Sequence, residues 1–458
     1  MSKKPPKKIP TSRSSRTARI GGLAAGQGVR WTAGNLADRL RSEESAKEHS
    51  GERALQLADA LVEQLGTMKG AAMKLGQVLS GLEFSGIPED QREEFKAKLA
   101  KLRDQSEPRP WREIEKVLRS ELGESPGRVF SEIEQEDFAA ASIGQVHRAL
   151  TREGDQVALK IQYPGVAEAV GSDMRNLGLL SPMIRKLAPG LDIKPLFKEL
   201  SERIEEELDY ELEADRSRQI WRMIQGHPFL MTPRVYTDLS SRRVLATEFI
   251  QGQSFSALQD EPDPVRDRAG EQIFRFYFGL LDRRAWALGD PHPGNMLRVG
   301  ERMCFLDFGM IRQVPRDYLQ GEQAVARAVV DQDAQRVHEL LSQLGYLPRP
   351  ELITPEQILE QLQVAGGWYF QPGLLRITPE LVRDLVEISS SPASPYYAQL
   401  RQQSIPPVSL LIRRMEGMVL STLGELRAEA DWGSITREML LGEEPVSQLG
   451  KEEKAFWG

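Results

Sequence analysis

The chain has 458 residues, is 40% hydrophobic and carries a formal net charge of −7, so it can bury a large core and is long enough for two or three domains. The acidic balance gives no chain-wide basic face of the kind nucleic acid binding requires. No stretch approaches the roughly 18 consecutive apolar residues of a membrane-spanning helix, and none reads as the apolar core of a secretory signal. The single cysteine, Cys304, excludes an intramolecular disulfide framework and a cysteine-rich metal centre. It lies in an apolar run and is expected as a buried thiol.

In chain order, residues 1–20 hold four Lys, three Arg and no acid. This composition reads either as a solvated tail or as an electrostatic attachment to an anionic membrane surface. An organellar transit peptide has the same flavour, although the paired prolines oppose an amphipathic helix. The default is a cytosolic protein with peripheral membrane contact at most, organellar targeting left open. The glycine-rich stretch 22–34 reads as a flexible entry. From Glu52 to about Leu82 the pattern is helical: Leu61, Leu65, Met68, Ala72, Leu75, Leu79 and Leu82 form one apolar stripe. On another face Gly70, Lys74, Gln77 and Gly81 recur at helical spacing. Glycine inside a helix costs about 1 kcal/mol relative to alanine, so that face is either closely packed or pressed against something that must approach it.

Residues 83–125 are charged and helical in flavour, broken at 106–111. Then the periodicity changes. Residues 137–150 and 156–166 read as two strands around the turn Glu153-Gly154-Asp155. In the second, Val157, Leu159 and Ile161 alternate with Ala158, Lys160 and Gln162, which puts Lys160 on the face opposite the aliphatics. Residues 196–220 read as one long acidic helix with Glu206, Asp209 and Glu213 sharing a face and Glu207 beside it. Residues 243–255 read as a strand ending in a turn, and 271–288 as a buried helix rich in aromatics. Beyond Ile311 the chain reads as helical, with Thr354-Pro355-Glu356 and Thr378-Pro379-Glu380 as helix starts. Helices, a strand-rich segment and more helices, without internal repeats, suit an α+β core with helical extensions at both ends.

The densest chemistry is in 289–309, GDPHPGNMLRVGERMCFLDFG. Two short apolar runs flank Gly300-Glu301-Arg302, which reads as a hairpin returning Asp307 to the neighbourhood of Asn295. Two carboxylates and an amide converging there suit a hard divalent cation such as Mg²⁺, which takes one or two carboxylates plus phosphate oxygens. A carboxylate outside the metal shell can accept the proton of an attacking hydroxyl. Asp290-x₄-Asn295 followed by Asp307-Phe308-Gly309 matches the kinase arrangement of base, metal amide and metal carboxylate. The upstream Val157-Ala158-Leu159-Lys160 would supply the lysine that steadies the α- and β-phosphates. The acidic helix offers its partner, and periodicity leaves Glu206, Glu207, Asp209 and Glu213 all eligible. A histidine-based metal hydrolase is disfavoured: apart from His292 the histidines are scattered, and His292 is expected to order its loop by hydrogen bonding.

With these motifs together, namely KLGQ (74–77), AAASIGQVHRA (139–149), VALK (157–160), ELDYELEA (207–214), GDPHPGN (289–295) and LDFG (306–309), the chain resembles the UbiB, or AarF, family of atypical kinase-like proteins. The match runs to about residue 315. The resemblance implies a bilobal protein-kinase-like α+β fold: a basic flexible segment (1–35), a helical extension (36–125), an N-lobe (126–255), and a C-lobe with further helices (256–458). It implies that Lys74 and Gln77 lie on a helix folded over the active site, that Glu207 and Asp209 are the motif this helix contacts, and that Glu213 pairs with Lys160. Nucleotide would be held by Ala139, Ala140, Ala141, Ser142, Lys160, Glu213 and Glu248. Asp290 would be the catalytic base, and Asn295 and Asp307 the Mg²⁺ ligands.

Where protein kinases carry Gly-x-Gly-x-x-Gly, this chain has Ala139-Ala140-Ala141-Ser142-Ile143-Gly144, and alanine restricts backbone freedom. With the Lys74–Gln77 helix in the way, phosphorylation of large protein substrates is disfavoured. The expectation is an enzyme that binds ATP and Mg²⁺ and hydrolyses ATP or phosphorylates a small or lipid-like acceptor. Its expected setting is ubiquinone or related isoprenoid-lipid metabolism, with lipid or isoprenoid-quinone precursors and lipid-biosynthesis proteins as partners. The alternatives are a nucleotide-binding pseudokinase scaffold and a small-molecule kinase of the aminoglycoside or choline type.

Overall fold

The structure is a computed structural model that describes residues 56, 59–63, 108–141, 143–174, 201, 204–391 and 394–458. The basic start, the glycine-rich entry, the Lys74–Gln77 face and Ser142 lie outside the described residues. The chain divides into two compact units, one of Met1–Ala214 with Val235–Phe249, the other of Asp215–Arg234 with Ile250–Gly458.

The first unit is built on an antiparallel sheet. Helix α1 (Trp111–Leu122) ends at Gly123, whose φ of 72° is the left-handed conformation that closes helices. Strands β1 (Phe130–Ile133), β2 (Ala139–Ala140), β3 (Gly144–Thr151) and β4 (Gln156–Gln162) follow. Helix α2 (Tyr210–Ile224) runs from this unit into the second, and β5 (Leu230–Met231) belongs to the second. Strand β6 (Val244–Glu248) closes the sheet, whose order is β1-β3-β4-β6 with β2 paired to β3. The expected turn after β3 is present, with Gly154 at φ 96°. Val157, Leu159 and Ile161 are fully buried in a core shared with Ile114, Leu118 and Leu61. Burying each such aliphatic is worth roughly 1.5–3 kcal/mol, which fixes β4's register and therefore the face that carries Lys160. Leu61, the first residue of the expected apolar stripe, is in this core; the stripe beyond residue 63 lies outside the described residues.

The second unit surrounds β7 (Gln253–Ser254), α3 (Asp263–Arg284), β8 (Trp286–Leu288), β9 (Met296–Val299), β10 (Arg302–Phe305) and β11 (Ile311–Gln313). Its main sheet has the order β5-β10-β9-β7, and β8 pairs separately with β11. The hairpin at 300–302 forms as expected: Val299 pairs with Arg302, and Gly300 takes a φ of 60°. That sign is required at the first loop residue of a II′ turn. Cys304 is fully buried. Helices α4 (Arg316–Val330), α5 (Ala334–Leu344), α6 (Pro355–Phe370), α7 (Pro379–Ser390), α8 (Leu410–Leu426), α9 (Trp432–Leu441) and α10 (Gln448–Trp457) complete the unit, with the two-residue strands β12 (Leu375–Arg376) and β13 (Glu429–Ala430) paired among them. Thr354 and Thr378 cap α6 and α7 as expected, Thr354 in a full capping box with Gln357.

Two expectations need correction. The stretch 271–288 is not one helix: α3 begins earlier, at Asp263, and stops at Ala285, whose φ of 56° turns the chain into β8. The stretch 196–220 is broken at Leu208-Asp209. There the Tyr210 N–H donates to the Arg242 carbonyl at 3.1 Å instead of continuing a helix. Asp209 Oδ1 accepts from the Glu211 and Leu212 N–H groups at 3.1 and 3.2 Å, the geometry of a helix start. Glu206, Asp209 and Glu213 therefore do not share the face of one continuous helix. Among the described residues no helix is long and apolar enough to cross a membrane.

Candidate functional site

In the first unit, Lys160 Nζ donates to both carboxylate oxygens of Glu213, at 2.9 and 3.0 Å. Glu213 is one of the acids that periodicity left eligible, and it reaches the lysine. The break at Leu208-Asp209 resets the helical register, so that Glu213, in the first turn of α2, is only 5% exposed. Tyr210 lies under the ammonium, its ring centre 5.0 Å from Nζ, where the negative face of the ring favours a cation. The Lys160 side chain remains 21% exposed.

The alanine loop folds back onto the start of β3 through its backbone. Ala139 pairs with Val146 and Ala140 with Gln145, and the Ala141 N–H donates to the Gly144 carbonyl at 2.9 Å, closing a tight turn. A side chain at Gly144 would put Cβ 2.4 Å from the Ile161 carbonyl and 3.1 Å from the Tyr210 hydroxyl. Glycine is therefore required there for β3 to start pressed against β4. Glu248 is exposed at the end of β6, opposite Val157, whereas Lys160 faces Leu245. That separation of three residues along the strand is roughly 10 Å, so the sheet does not bring Glu248 to the lysine. Glu207 and Asp209 are half-buried beside the break, and Asp209 has the local capping role already described.

In the second unit, the loop 289–295 joins β8 to β9. The His292 N–H donates to the Asp290 carbonyl at 2.7 Å, and the Asn295 N–H to the His292 carbonyl at 2.9 Å. His292 Nδ1 accepts from the Gly294 N–H at 3.0 Å, which is the loop-ordering role expected of it. The Leu306 N–H then donates to the Asn295 carbonyl at 3.0 Å, so the hairpin does return the chain to Asn295 one residue before Asp307. Asp307 Oδ1 accepts from the Gly309 N–H at 2.8 Å, and Arg216 on α2 donates to the Gly309 carbonyl at 2.6 Å. Phe308 is buried in the core with Phe276 and Phe305, which fixes the backbone on either side of it.

Tyr277, on α3, links the two acids electrostatically. Burial pushes its phenol well above the ordinary range, and the negative charges of Asp290 and Asp307 push it the same way. The phenol is thereby favoured in its neutral form. Sequence reasoning missed Tyr277, Tyr210 and Arg216. Tyr210 stood inside a quoted motif, ELDYELEA, whereas Tyr277 and Arg216 had no pattern of their own.

The donor set fits the group that the motif calls for. Asn295 and Asp307 offer oxygen, the ligand type of Mg²⁺, and two protein ligands leave room for waters and phosphate oxygens. The described histidines have other partners, including His338 at the Pro350 and Ile353 carbonyls. His147 is buried with Nδ1 on the Glu134 carbonyl, and His227 is buried against Phe229 and Phe456. Among the described residues no cluster of three or more His, Cys, Asp or Glu is placed to hold a metal ion.

A strand lysine held by a helix carboxylate, an Asp-x₄-Asn loop and an Asp-Phe-Gly turn define a kinase-like protein. Residues 101–341, more than half of the chain, match the ABC1 atypical kinase-like domain. The chain belongs to that family of atypical kinases. It is 32% identical over 348 residues to the mitochondrial atypical kinase COQ8B of Rattus norvegicus, covering 74% of this chain and 64% of that one. It is 29% identical over 346 residues to the mitochondrial atypical kinase COQ8 of Saccharomyces cerevisiae, covering 74% of this chain and 67% of that one. Across these and the mitochondrial COQ8B of Danio rerio, where coverage is 50%, the chain spans between half and two thirds of the relative's length. Among solved structures, the Rv3197–erythromycin complex from Mycobacterium tuberculosis matches with a TM-score of 0.64 and 28% identity, over 86% of this chain and 98% of that one.

Proposed function

We propose that this protein binds ATP with Mg²⁺ and either hydrolyses it or transfers its γ-phosphoryl group to a small or lipid-like acceptor. The observation that carries this reading is the hairpin that returns Asp307 to Asn295 in the unit that holds Asp290. Lys160, fixed by Glu213, would steady the α- and β-phosphates, and the turn Ala139–Ala141 with Ser142 would cover them. Glu248 would contact the remainder of the nucleotide. Asp290 would accept the proton of the attacking hydroxyl or orient a water. Bound Mg²⁺, held by Asn295 and Asp307, would neutralise charge on the β- and γ-phosphate oxygens. Tyr277 would donate toward the two carboxylates and hold them apart.

In this reading the first unit is the N-lobe and the second the C-lobe. Lys74 and Gln77, which lie outside the described residues, would restrict access by large substrates, with Glu207 and Asp209 as their partners. The kinship with the mitochondrial COQ8 kinases supports a role in ubiquinone or related isoprenoid-lipid metabolism, with isoprenoid-quinone precursors and lipid-biosynthesis proteins as partners. The basic residues 1–20 would provide peripheral attachment to an anionic membrane.

The test is thermal stability with ATP and ADP, each with and without Mg²⁺, alongside phosphate release. Ligand at a hundredfold its Kd should stabilise by about 2.7 kcal/mol. Asp307→Asn should lose the Mg²⁺-dependent part, whereas Asp290→Asn should keep it and lose about a hundredfold or more in turnover. Full turnover by Asp307→Asn, or a wild type indifferent to nucleotide, would refute the reading. A nucleotide shift without turnover or transfer to a lipid extract would instead favour a pseudokinase scaffold.

A further inference from the structure

The loop that carries Asp290 is held by a helix more than a hundred residues downstream. Three consecutive carbonyls, those of Gly289, Asp290 and Pro291, are each engaged. The middle one accepts from the His292 N–H within the loop, at 2.7 Å. The outer two face α8: Arg414 Nε donates to the Gly289 carbonyl at 2.9 Å. Thr422 Oγ1 lies 3.3 Å from the Pro291 carbonyl, and the same hydroxyl is 2.9 Å from the Met418 carbonyl of its own helix. Packing adds a third contact. A Cβ at position 289 would lie 2.5 Å from Leu411 Cδ1 on α8 and 2.3 Å from Met310 Sδ, so a side chain there would have to displace both. Leu411 and Thr422 are buried, at 7% and 1% exposure, so the helix face that meets the loop is rigidly packed.

We infer that α8 sets the position of Asp290, with Arg414 and Thr422 as positioning residues that touch neither substrate nor metal. The inference rests on reading Asp290 as the proton acceptor. A backbone whose carbonyl just before Asp290 is held by Arg414, and whose carbonyl just after lies against Thr422, has little freedom to carry the Asp290 Cα away. A reacting carboxylate misplaced by about 1 Å can lose about a hundredfold in rate.

Arg414→Met, Arg414→Lys and Thr422→Val in the full chain test this by two readouts. The first is hydrogen exchange at the amides of Gly289, Asp290, His292, Gly294 and Asn295; the second is kcat and KM for ATP in Mg²⁺-dependent phosphate release. Arg414→Met should speed exchange in this loop about tenfold while leaving the sheets unchanged. It should lower kcat at least tenfold with KM within twofold. Arg414→Lys, which still offers a donor, should recover part of both, and Thr422→Val should have the smaller effect. Unchanged loop exchange in Arg414→Met would overturn the inference, as would faster loop exchange with unchanged kcat. Faster exchange throughout the second unit would assign Arg414 a general structural role and overturn it too. If the wild type releases no phosphate, the functional reading fails by itself, and loop exchange still decides whether α8 holds the loop.

Discussion

Arg275 and Lys160 are both cations enclosed by protein, yet their surroundings differ in kind. The Arg275 side chain is fully buried on α3 and donates to Glu271, Glu438 and Glu453, at 2.7, 2.8 and 2.9 Å, and to Ser447 at 3.1 Å. Burial alone would lower its basicity, but the hydrogen bond to Glu438 and the three carboxylate charges hold it above its ordinary value. These partners come from α3, α9 and the start and body of α10, so Arg275 is a staple that ties the end of the chain to the core. Lys160 has its bidentate carboxylate too, but its side chain is 21% exposed. A cation sealed on all sides serves the fold. One held firmly and still reached by solvent can also meet a phosphate.

Removing each cation tests this contrast. Arg275→Met leaves three buried carboxylates around an apolar side chain and should cost about 3–5 kcal/mol in denaturant unfolding. Lys160→Met should cost less than half as much while abolishing the nucleotide-induced thermal shift; equal costs would erase the distinction. The next effect is pH-dependent and belongs to the staple. Burial lowers the His227 imidazole to about 4, and the charges of Arg283 and Arg275 add to this. A folded value below the unfolded one of about 6.5 means the stabilisation is complete above pH 6.5 and lost as pH falls toward 4. The loss amounts to roughly 2–3 kcal/mol, and His227→Leu should flatten that part of the stability–pH curve relative to wild type. The smallest effect lies at the exposed end of the scale. Lys454 and Glu444 pair at 2.6 Å, but their side chains are 56% and 83% exposed. Glu444→Gln should change stability by about 0–1 kcal/mol, and a larger loss would show that exposure is a poor guide to what an ion pair does here.

Much of the site was legible because its logic is local. Strand alternation put Lys160 opposite three aliphatics, and seven residues of β4 suffice to state that. The hairpin at Gly300 needed only a turn residue between two apolar runs, and it carried Asp307 back to Asn295. The caps at Thr354 and Thr378 were equally short-range. The acidic stretch failed for the opposite reason. Its helical periodicity ran unbroken through Leu208-Asp209, but the Arg242 carbonyl and the Gln162 side chain, which donates to the Leu208 carbonyl at 2.9 Å, compete there for the backbone. No pattern within the stretch reveals a partner from another strand. The early end of the aromatic helix has the same origin: Ala285 turns left-handed so that β8 can pair with β11.

The sequence by itself therefore determined the class of protein, since an acid–amide–acid spacing and a strand lysine are properties of neighbouring residues along one chain. It also set the sheet face of Lys160 and the return of Asp307. Only the tertiary structure decided that Glu213 meets that lysine, that the charges of Asp290 and Asp307 both act on Tyr277, and that Arg414 reaches the loop from more than a hundred residues away. Periodicity specifies which side of an element is apolar. It does not specify which other element meets that side, because packing and backbone hydrogen bonds are settled between segments far apart in sequence.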